Sequence, residues 1–170
     1  NGYYLKSLDL FLKQDQKESI VVKGYAYAKN IVTIAKGKFS IENNSVSLQI
    51  GNLLFKLDEF EELYILNEIF VENCYNIVTK EQECVLIDIG MNVGFCSLYF
   101  SQRPEFRKIY SFEPFVETFQ LAQRNIELNA SAQEKITPSN FGLAKQEGIL
   151  EVEYSTEARG RMGINGLPPD

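Results

Sequence analysis

The chain has 170 residues, of which 45% are hydrophobic and 24% are charged, a balance typical of a soluble globular protein. Its net charge of -6 argues against nucleic-acid binding, because phosphate backbones are held by clustered lysine and arginine. No stretch approaches the roughly 18 apolar residues that a membrane span needs. The composition therefore predicts no nucleic-acid partner and no membrane span.

The sequence contains no histidine, and this limits the chemistry of any active site. A Ser-His-Asp or Cys-His nucleophile cannot be assembled, so a general base would have to be Asp, Glu, Lys, Tyr or a thiolate. Cys74, Cys84 and Cys96 are too widely spaced for a metal-binding knuckle. We predict no metal site and interpret the cysteines as buried, reduced thiols. No signal peptide is visible, although the chain begins with Asn1, and we expect a cytoplasmic protein.

Residues 1–57 are predicted to form an amino-terminal appendage. Leucines near helical spacing predict a short amphipathic helix over residues 1–18. Residues 20–22 and 31–34 are β-branched, and residues 38–50 alternate around a turn at Asn43-Asn44-Ser45. These patterns predict antiparallel strands joined by hairpins after the first helix.

Residues 58–170 are predicted to form an α/β domain built on a parallel sheet. A helix is predicted over residues 57–71, because acidic residues crowd its first turn and apolar residues follow at helical spacing. After it the order is strand, loop, helix, strand, helix, strand, which is typical of a parallel sheet with helical crossovers.

The segment from Cys84 to Gly94 is the first candidate site. Residues 84–89 are apolar except for Asp88, and a strand that is apolar on both faces belongs in the middle of a parallel sheet. Gly90 and Gly94 let the chain turn sharply and approach a ligand at the carboxyl end of that strand. An unpaired buried charge costs several kcal/mol, so Asp88 favours a functional interpretation over a structural one.

A second acid, Glu113, ends the next predicted strand, residues 108–112. An acid at this position can accept hydrogen bonds from both hydroxyls of a ribose. Pro114 holds Glu113 in an extended conformation and suits the first position of a helix. A dinucleotide site would have a second glycine where Asn92 stands, so the loop is poorly suited to a pyrophosphate.

The pattern Asp-x-Gly-x-Asn-x-Gly, from Asp88 to Gly94, resembles motif I of the class I methyltransferases that bind S-adenosylmethionine. Within that class the chain resembles the FkbM family. Met91 departs from the small residue usual at its position, and residues 1–57 have no counterpart. The matching segments follow in the right order and spacing over about residues 66–154: 68–70 with Tyr75, 85–94, 110–114, 125–129, and 140–144 followed by Gly148.

The resemblance implies a Rossmann-like fold and transfer of a methyl group from S-adenosylmethionine to an oxygen or another heteroatom of a small molecule or glycan. It also implies roles for eight residues. Asp88 and Gly90 would border the methionine end of the cofactor with Met91 nearby, Asn92 and Gly94 would shape the loop, Glu113 would hold the ribose, and Asn140 with Phe141 would edge the adenine.

Family members continue with a further strand and an acidic segment, Lys-x-Asp-x-Glu-Gly, which this chain does not match. Residues 159–169 have the composition of a loop, so we expect a domain truncated on its carboxyl-terminal side and assign no catalytic residue. Two interpretations stay open: a methyltransferase whose other half lies beyond residue 170, or a non-catalytic cofactor-binding or interaction module.

In this class the fourth strand pairs with the first, here residues 85–89. Without that strand, a hydrogen-bonding edge and an apolar sheet face would be left bare. We therefore predict that a partner chain in a homo-oligomer, the amino-terminal hairpins or the missing half covers residues 85–89.

Overall fold

The computed structural model describes residues 1–16 and 18–149. The chain divides into two units between Lys80 and Glu81, later than the predicted boundary after Leu57. The reason is the helix over residues 61–70, which packs against the helix over residues 25–33 and so belongs to the first unit. Among the described residues no helix is both long and apolar enough to cross a membrane.

The first 16 residues form two short antiparallel strands, so the prediction of an amphipathic helix over residues 1–18 is wrong. β1 (Gly2–Leu5) pairs with β2 (Leu10–Lys13), and short 3-10 turns follow each strand at Lys6–Leu8 and Gln14–Gln16. In β2 the buried Leu10 and Leu12 alternate with the exposed Phe11 and Lys13, which fits a half-buried strand better than a helix.

Two helices follow where strands were predicted at residues 20–22 and 31–34. They are α1 (Ile20–Lys23) and α2 (Tyr25–Thr33), and the side chain of Ser19 accepts a hydrogen bond from Val21 N at the start of α1. Val21, Ala28 and Ile31 are fully buried at intervals of seven and three, which are helical spacings. Burial of this face outweighs the strand propensity of the β-branched residues.

An antiparallel sheet in the order β3-β4-β5 completes the strands of the first unit. The strands are β3 (Lys38–Glu42), β4 (Ser45–Ile50) and β5 (Leu53–Leu57), and they are followed by α3 (Glu61–Phe70). The predicted turn between β3 and β4 is confirmed, with Asn43 and Asn44 at φ 48° and 63°. The helix begins four residues later than predicted because Leu57 is the last residue of β5.

The second unit is a parallel α/β arrangement, which confirms the predicted fold class. Its parallel strands lie in the order β6-β7-β8, and helices α4 and α5 pack on them. The elements are β6 (Cys84–Ile89), α4 (Phe95–Ser101), β7 (Phe106–Phe112), α5 (Val116–Glu127), α6 (Ala130–Gln133) and β8 (Ile136–Ser139).

β6 lies at one edge of this sheet, with β7 as its one strand neighbour among the described residues. Val85, Ile87 and Ile89 are 60%, 57% and 68% exposed, and they alternate with the half-buried Leu86 and Asp88. The prediction of a strand buried on both faces is therefore wrong for this part of the chain. In residues 1–16 and 18–149 no second strand pairs with β6, and β1–β5 form sheets of their own.

Candidate functional site

The carboxyl ends of β6 and β7 meet at one edge of the parallel sheet. Ile89 lies opposite Phe112, so the loop after β6 and Glu113 after β7 begin side by side. Gly90 N and Met91 N both donate to Phe112 O at 2.9 Å. These bonds tie the start of the loop to the end of β7.

Two glycines in this loop have left-handed backbones, and their surroundings differ. Gly90 has φ +79°, and a Cβ placed on it would meet no atom within 4 Å. Gly94 has φ +86°, and a Cβ there would lie 3.4 Å from Ala122 on α5. Gly94 therefore permits close packing of the loop on α5, whereas Gly90 leaves backbone open to an approaching ligand.

Glu113 joins the loop to the start of α5. Its Oε2 accepts a hydrogen bond from Asn92 N at 3.0 Å, and its Oε1 accepts one from Phe115 N at 3.1 Å. We expected an acid exposed in a cleft, but only 5% of Glu113 is exposed, because both oxygens turn toward backbone donors. Burial raises the pKa of Glu113, the bonds from Phe115 and Asn92 oppose this, and nearby Asp88 adds to it. Each carboxylate oxygen keeps a lone pair for a further donor.

Asp88, on the helix-covered side of β6, is held by a hydroxyl. Ser97 Oγ of α4 donates to Asp88 Oδ2 at 2.5 Å, and Ser97 Oγ lies 2.7 Å from Ser111 Oγ of β7. Burial raises the pKa of Asp88, and the hydrogen bond from Ser97 opposes this. In the part of the chain that the structure describes, neither Asp88 nor Glu113 forms an ion pair.

Met91 and Asn92 differ in which of their atoms could contact a ligand. The side chain of Met91 is buried, so this residue meets the open side of the loop through its backbone only. Asn92 has φ 51°, and its Oδ1 is buried without a hydrogen-bond partner among residues 1–16 and 18–149. A buried acceptor without a donor is uncommon, which makes Asn92 Oδ1 a candidate contact for a polar ligand group.

Asn140 and Phe141 follow β8 at the same edge of the sheet. Asn140 Nδ2 donates to Glu113 O at 2.8 Å and to Pro114 O at 3.3 Å, so this side chain fixes the end of β7. The Phe141 ring lies 5.2 Å from the Phe112 ring and is 54% exposed. Phe141 therefore presents an aromatic surface beside the residue that precedes Glu113.

The structure thus brings most of the predicted site residues into one connected group. Hydrogen bonds link the loop to Glu113 and Glu113 to Asn140. Asp88 lies at the end of β6, just before this loop, and its side chain is bonded to Ser97. Ser97 and Ser111 were not predicted, because nothing in the sequence distinguishes them from other serines. Cys74 is exposed, and Cys84 and Cys96 are half-buried, so the prediction of three buried cysteines is wrong. Among the described residues no cluster of acidic or cysteine side chains could hold a metal ion.

The chain is similar to proteins named methyltransferases. It is 30% identical over 100 residues to Methyltransferase sdnD of Sordaria araneosa and 29% identical over 103 residues to Methyltransferase 1 of Beauveria bassiana. These alignments cover 59% and 60% of the chain, but 38% and 40% of the relatives. The chain therefore spans about two fifths of the length of the curated relatives it matches. No family model matches the chain.

Solved structures that align with the chain include two proteins in complex with ligands. Pyrococcus horikoshii TYW2 in complex with MeSAdo aligns with a TM-score of 0.36 and 13% identity over 84% of this chain and 55% of that one. The N-terminal domain of human METTL16 in complex with SAH aligns with a TM-score of 0.35 and 12% identity over 88% and 55%. At such low scores, the fold assignment rests on the parallel strand order of the chain itself.

Proposed function

We propose that the carboxyl-terminal edge of the β6-β7-β8 sheet binds S-adenosylmethionine, and that the chain is the cofactor-binding part of a methyltransferase of the FkbM type. One observation carries the proposal. Glu113 lies directly after β7, and its carboxylate is hydrogen-bonded to Asn92 N in the glycine loop at 3.0 Å. The carboxylate that would accept hydrogen bonds from the ribose is thereby held against the loop that is open to a ligand.

The residues at this edge fit the parts of that cofactor. The remaining lone pairs of Glu113 suit two ribose hydroxyls, and the exposed Phe141 ring offers a flat apolar surface to adenine. Gly90 leaves space in front of its backbone, and the orphaned Asn92 Oδ1 accepts a donor. We assign Asp88, with Gly90, to the methionine end.

The charge at this edge favours a cationic ligand. Asp88 and Glu113 interact electrostatically, and no ion pair to either is present in the described part of the chain. Two carboxylates without a cation attract a sulfonium and an ammonium group, whereas they repel the pyrophosphate of a dinucleotide. The edge therefore suits S-adenosylmethionine better than NAD.

When bound, the cofactor supplies an electrophilic methyl group, and the residues named here bind and orient it. Transfer in line to an acceptor depends mainly on positioning. Guided by the resemblance to the FkbM family, we propose that the acceptor is an oxygen or another heteroatom of a small molecule or glycan.

Calorimetry on the intact protein tests the proposal with Glu113→Gln and the control Glu117→Gln. Glu117 is an exposed acid in the first turn of α5, a few residues from the site. We expect S-adenosylmethionine and its demethylated product to bind, and NAD to bind much less. Charge-assisted hydrogen bonds contribute about 1.5–3 kcal/mol, so Glu113→Gln should lower affinity roughly ten- to hundredfold, and Glu117→Gln should not.

Circular dichroism checks that Glu113→Gln is folded, because its carboxylate also accepts two backbone hydrogen bonds. Binding of NAD without binding of S-adenosylmethionine would overturn the proposal. Binding of the cofactor without methyl transfer to any acceptor would favour the alternative, a non-catalytic cofactor-binding module.

A further inference from the structure

Three polar side chains from three different elements form a hydrogen-bonded series that ends at Asp88. Ser111 is on β7, Ser97 is on α4, and Asp88 is on β6. Ser111 Oγ and Ser97 Oγ are 2.7 Å apart, and Ser97 Oγ and Asp88 Oδ2 are 2.5 Å apart. Both serines are fully buried, so these contacts are shielded from water.

The behaviour of Ser97 differs from that of another buried serine on the same helix. Ser101 Oγ donates to Leu98 O at 2.7 Å, a bond within its own helix that satisfies a buried serine locally. Ser97 has the same local option but donates to Asp88 on a different element. Its hydroxyl therefore serves the carboxylate rather than the helix.

The direction of the hydrogen bonds follows from the charge of Asp88. A carboxylate only accepts, so the Ser97 proton must point toward Asp88. Ser97 Oγ then has only lone pairs to offer, and Ser111 must donate to it. Such a series polarises each bond in turn and strengthens the last one.

Among the described residues, Ser97 is the one side-chain hydrogen-bond donor to the Asp88 carboxylate, and Asp88 forms no ion pair. The titratable groups that interact with it electrostatically are Cys96 on α4 and Glu113 at the end of β7, and neither is cationic. Burial, together with Asp88, raises the pKa of Cys96 to about 12, so that thiol stays neutral. The carboxylate is thus held by the hydroxyl of Ser97 on one oxygen.

We propose that Ser97, oriented by Ser111, is a positioning residue that holds Asp88 as a carboxylate for the positively charged methionine end of the cofactor. This proposal rests on the proposed function for its ligand. A consequence is that the two buried serines, Ser97 and Ser111, set the range of pH over which the site binds the cofactor.

The test compares Ser97→Ala and Ser111→Ala with the control Ser101→Ala in the intact protein. Carbon-detected NMR follows the titration of the Asp88 carboxyl group without ligand. Ser97→Ala should move that titration to higher pH, because the hydrogen bond that favours the carboxylate is lost. Ser111→Ala should move it less, and Ser101→Ala should leave it in place.

Calorimetry of S-adenosylmethionine binding over the same pH series supplies the second readout. We expect Ser97→Ala to weaken binding by about tenfold at pH values where only the wild-type Asp88 is ionised. The difference in affinity between Ser97→Ala and Ser101→Ala should shrink as pH rises, because Asp88 then becomes ionised in Ser97→Ala too. A loss caused by poorer packing would be shared by Ser101→Ala and would not recover with pH.

The two proposals fail in different ways. If the wild-type protein does not bind S-adenosylmethionine at any pH, the proposed function is overturned, and the NMR titration alone decides whether Ser97 holds Asp88. An Asp88 titration that is the same in Ser97→Ala and Ser101→Ala would overturn the positioning role, even if the cofactor binds.

Discussion

The two three-stranded sheets of the chain expose different surfaces. In the antiparallel sheet β3-β4-β5, the outward positions are polar apart from Leu54, as at the cross-strand pairs Lys38–Gln49 and Ser40–Ser47. In the parallel sheet β6-β7-β8, the outward positions of β6 are Val85, Ile87 and Ile89, all more than half exposed. The outward face of the antiparallel sheet is suited to contact with water, whereas the outward face of β6 is suited to packing against another apolar surface.

This difference separates a sheet with a polar outward face from a sheet whose edge strand has an apolar outward face. An antiparallel sheet can leave one face in water when that face is polar, as the first sheet does. An apolar face joined to a bare edge strand is unusual on a monomer and marks an interaction surface. The sheet with the apolar outward face is also the one whose carboxyl-terminal edge carries the candidate cofactor site.

The largest predicted effect comes from replacing one glycine in each sheet by alanine and comparing the stability and cofactor affinity of the two variants. Gly51, in the turn between β4 and β5, and Gly90, after β6, both have positive φ and open space at the Cβ position. Either change to alanine should cost about 1–2 kcal/mol of stability, because a left-handed backbone disfavours a Cβ. Gly90→Ala alone should weaken cofactor binding, by roughly ten- to hundredfold, because its methyl group enters the space of the ligand.

Denaturant unfolding and calorimetry measure both quantities for the glycine pair. Equal affinities in Gly51→Ala and Gly90→Ala would remove the loop after β6 from the binding site.

A smaller effect is predicted for Asp88→Asn, and its sign depends on pH. The folded protein holds the Asp88 proton more tightly than the unfolded chain, because burial raises the pKa above 3.8. The contribution of Asp88 to stability is therefore greatest below pH 3.8 and is lost as pH rises through the raised folded value. Asp88→Asn should then increase the free energy of unfolding by about 1 kcal/mol at neutral pH, while weakening cofactor binding.

Unfolding by denaturant over a pH series checks this, with Glu42→Gln, an exposed acid of β3, as the control from the first sheet. The gain for Asp88→Asn should vanish in acid, and Glu42→Gln should show no such trend. A loss of stability at neutral pH would show that the Asp88 charge is well compensated after all.

The smallest effect on stability concerns the outward faces themselves. Leu54 on β5 is 36% exposed and Ile87 on β6 is 57% exposed, so changing either to threonine should alter stability by less than about 0.5 kcal/mol. We predict that the isolated 170-residue chain self-associates, that Ile87→Thr reduces this, and that Leu54→Thr does not.

Sedimentation measures the association, and hydrogen exchange reports on the β6 amides. A monodisperse wild-type monomer with strongly protected β6 amides would contradict the idea that this edge and face need a cover.

The two units also differ in how far the sequence predicted them. In the first unit, Ile20–Val22 and Ile31–Ile34 are β-branched but mainly helical, because burial of one face across α1 and α2 outweighs local propensity. The turn at Asn43 and Asn44 was predictable, since asparagine is one of the few residues that tolerate positive φ.

In the second unit, glycines, short apolar strands and an acid at a strand end constrain the chain locally, and the parallel order was predictable from them. That Glu113 lies next to the loop after β6 was predictable from the strand order alone, because both follow the carboxyl ends of neighbouring parallel strands. The burial of Glu113 and the series from Ser111 to Asp88 could not be predicted, because they depend on side-chain directions in three packed elements.

The most direct test of the central claim is a chemical-shift map of the intact, isotope-labelled protein on titration with S-adenosylhomocysteine, the demethylated cofactor. We predict that the largest shift changes lie in the backbone amides from Gly90 to Gly94, at Glu113 and at Phe141, and that the β3-β4-β5 sheet is unaffected. Saturable changes confined to the first unit, or no changes after β6 and β7, would contradict the assignment of the cofactor site.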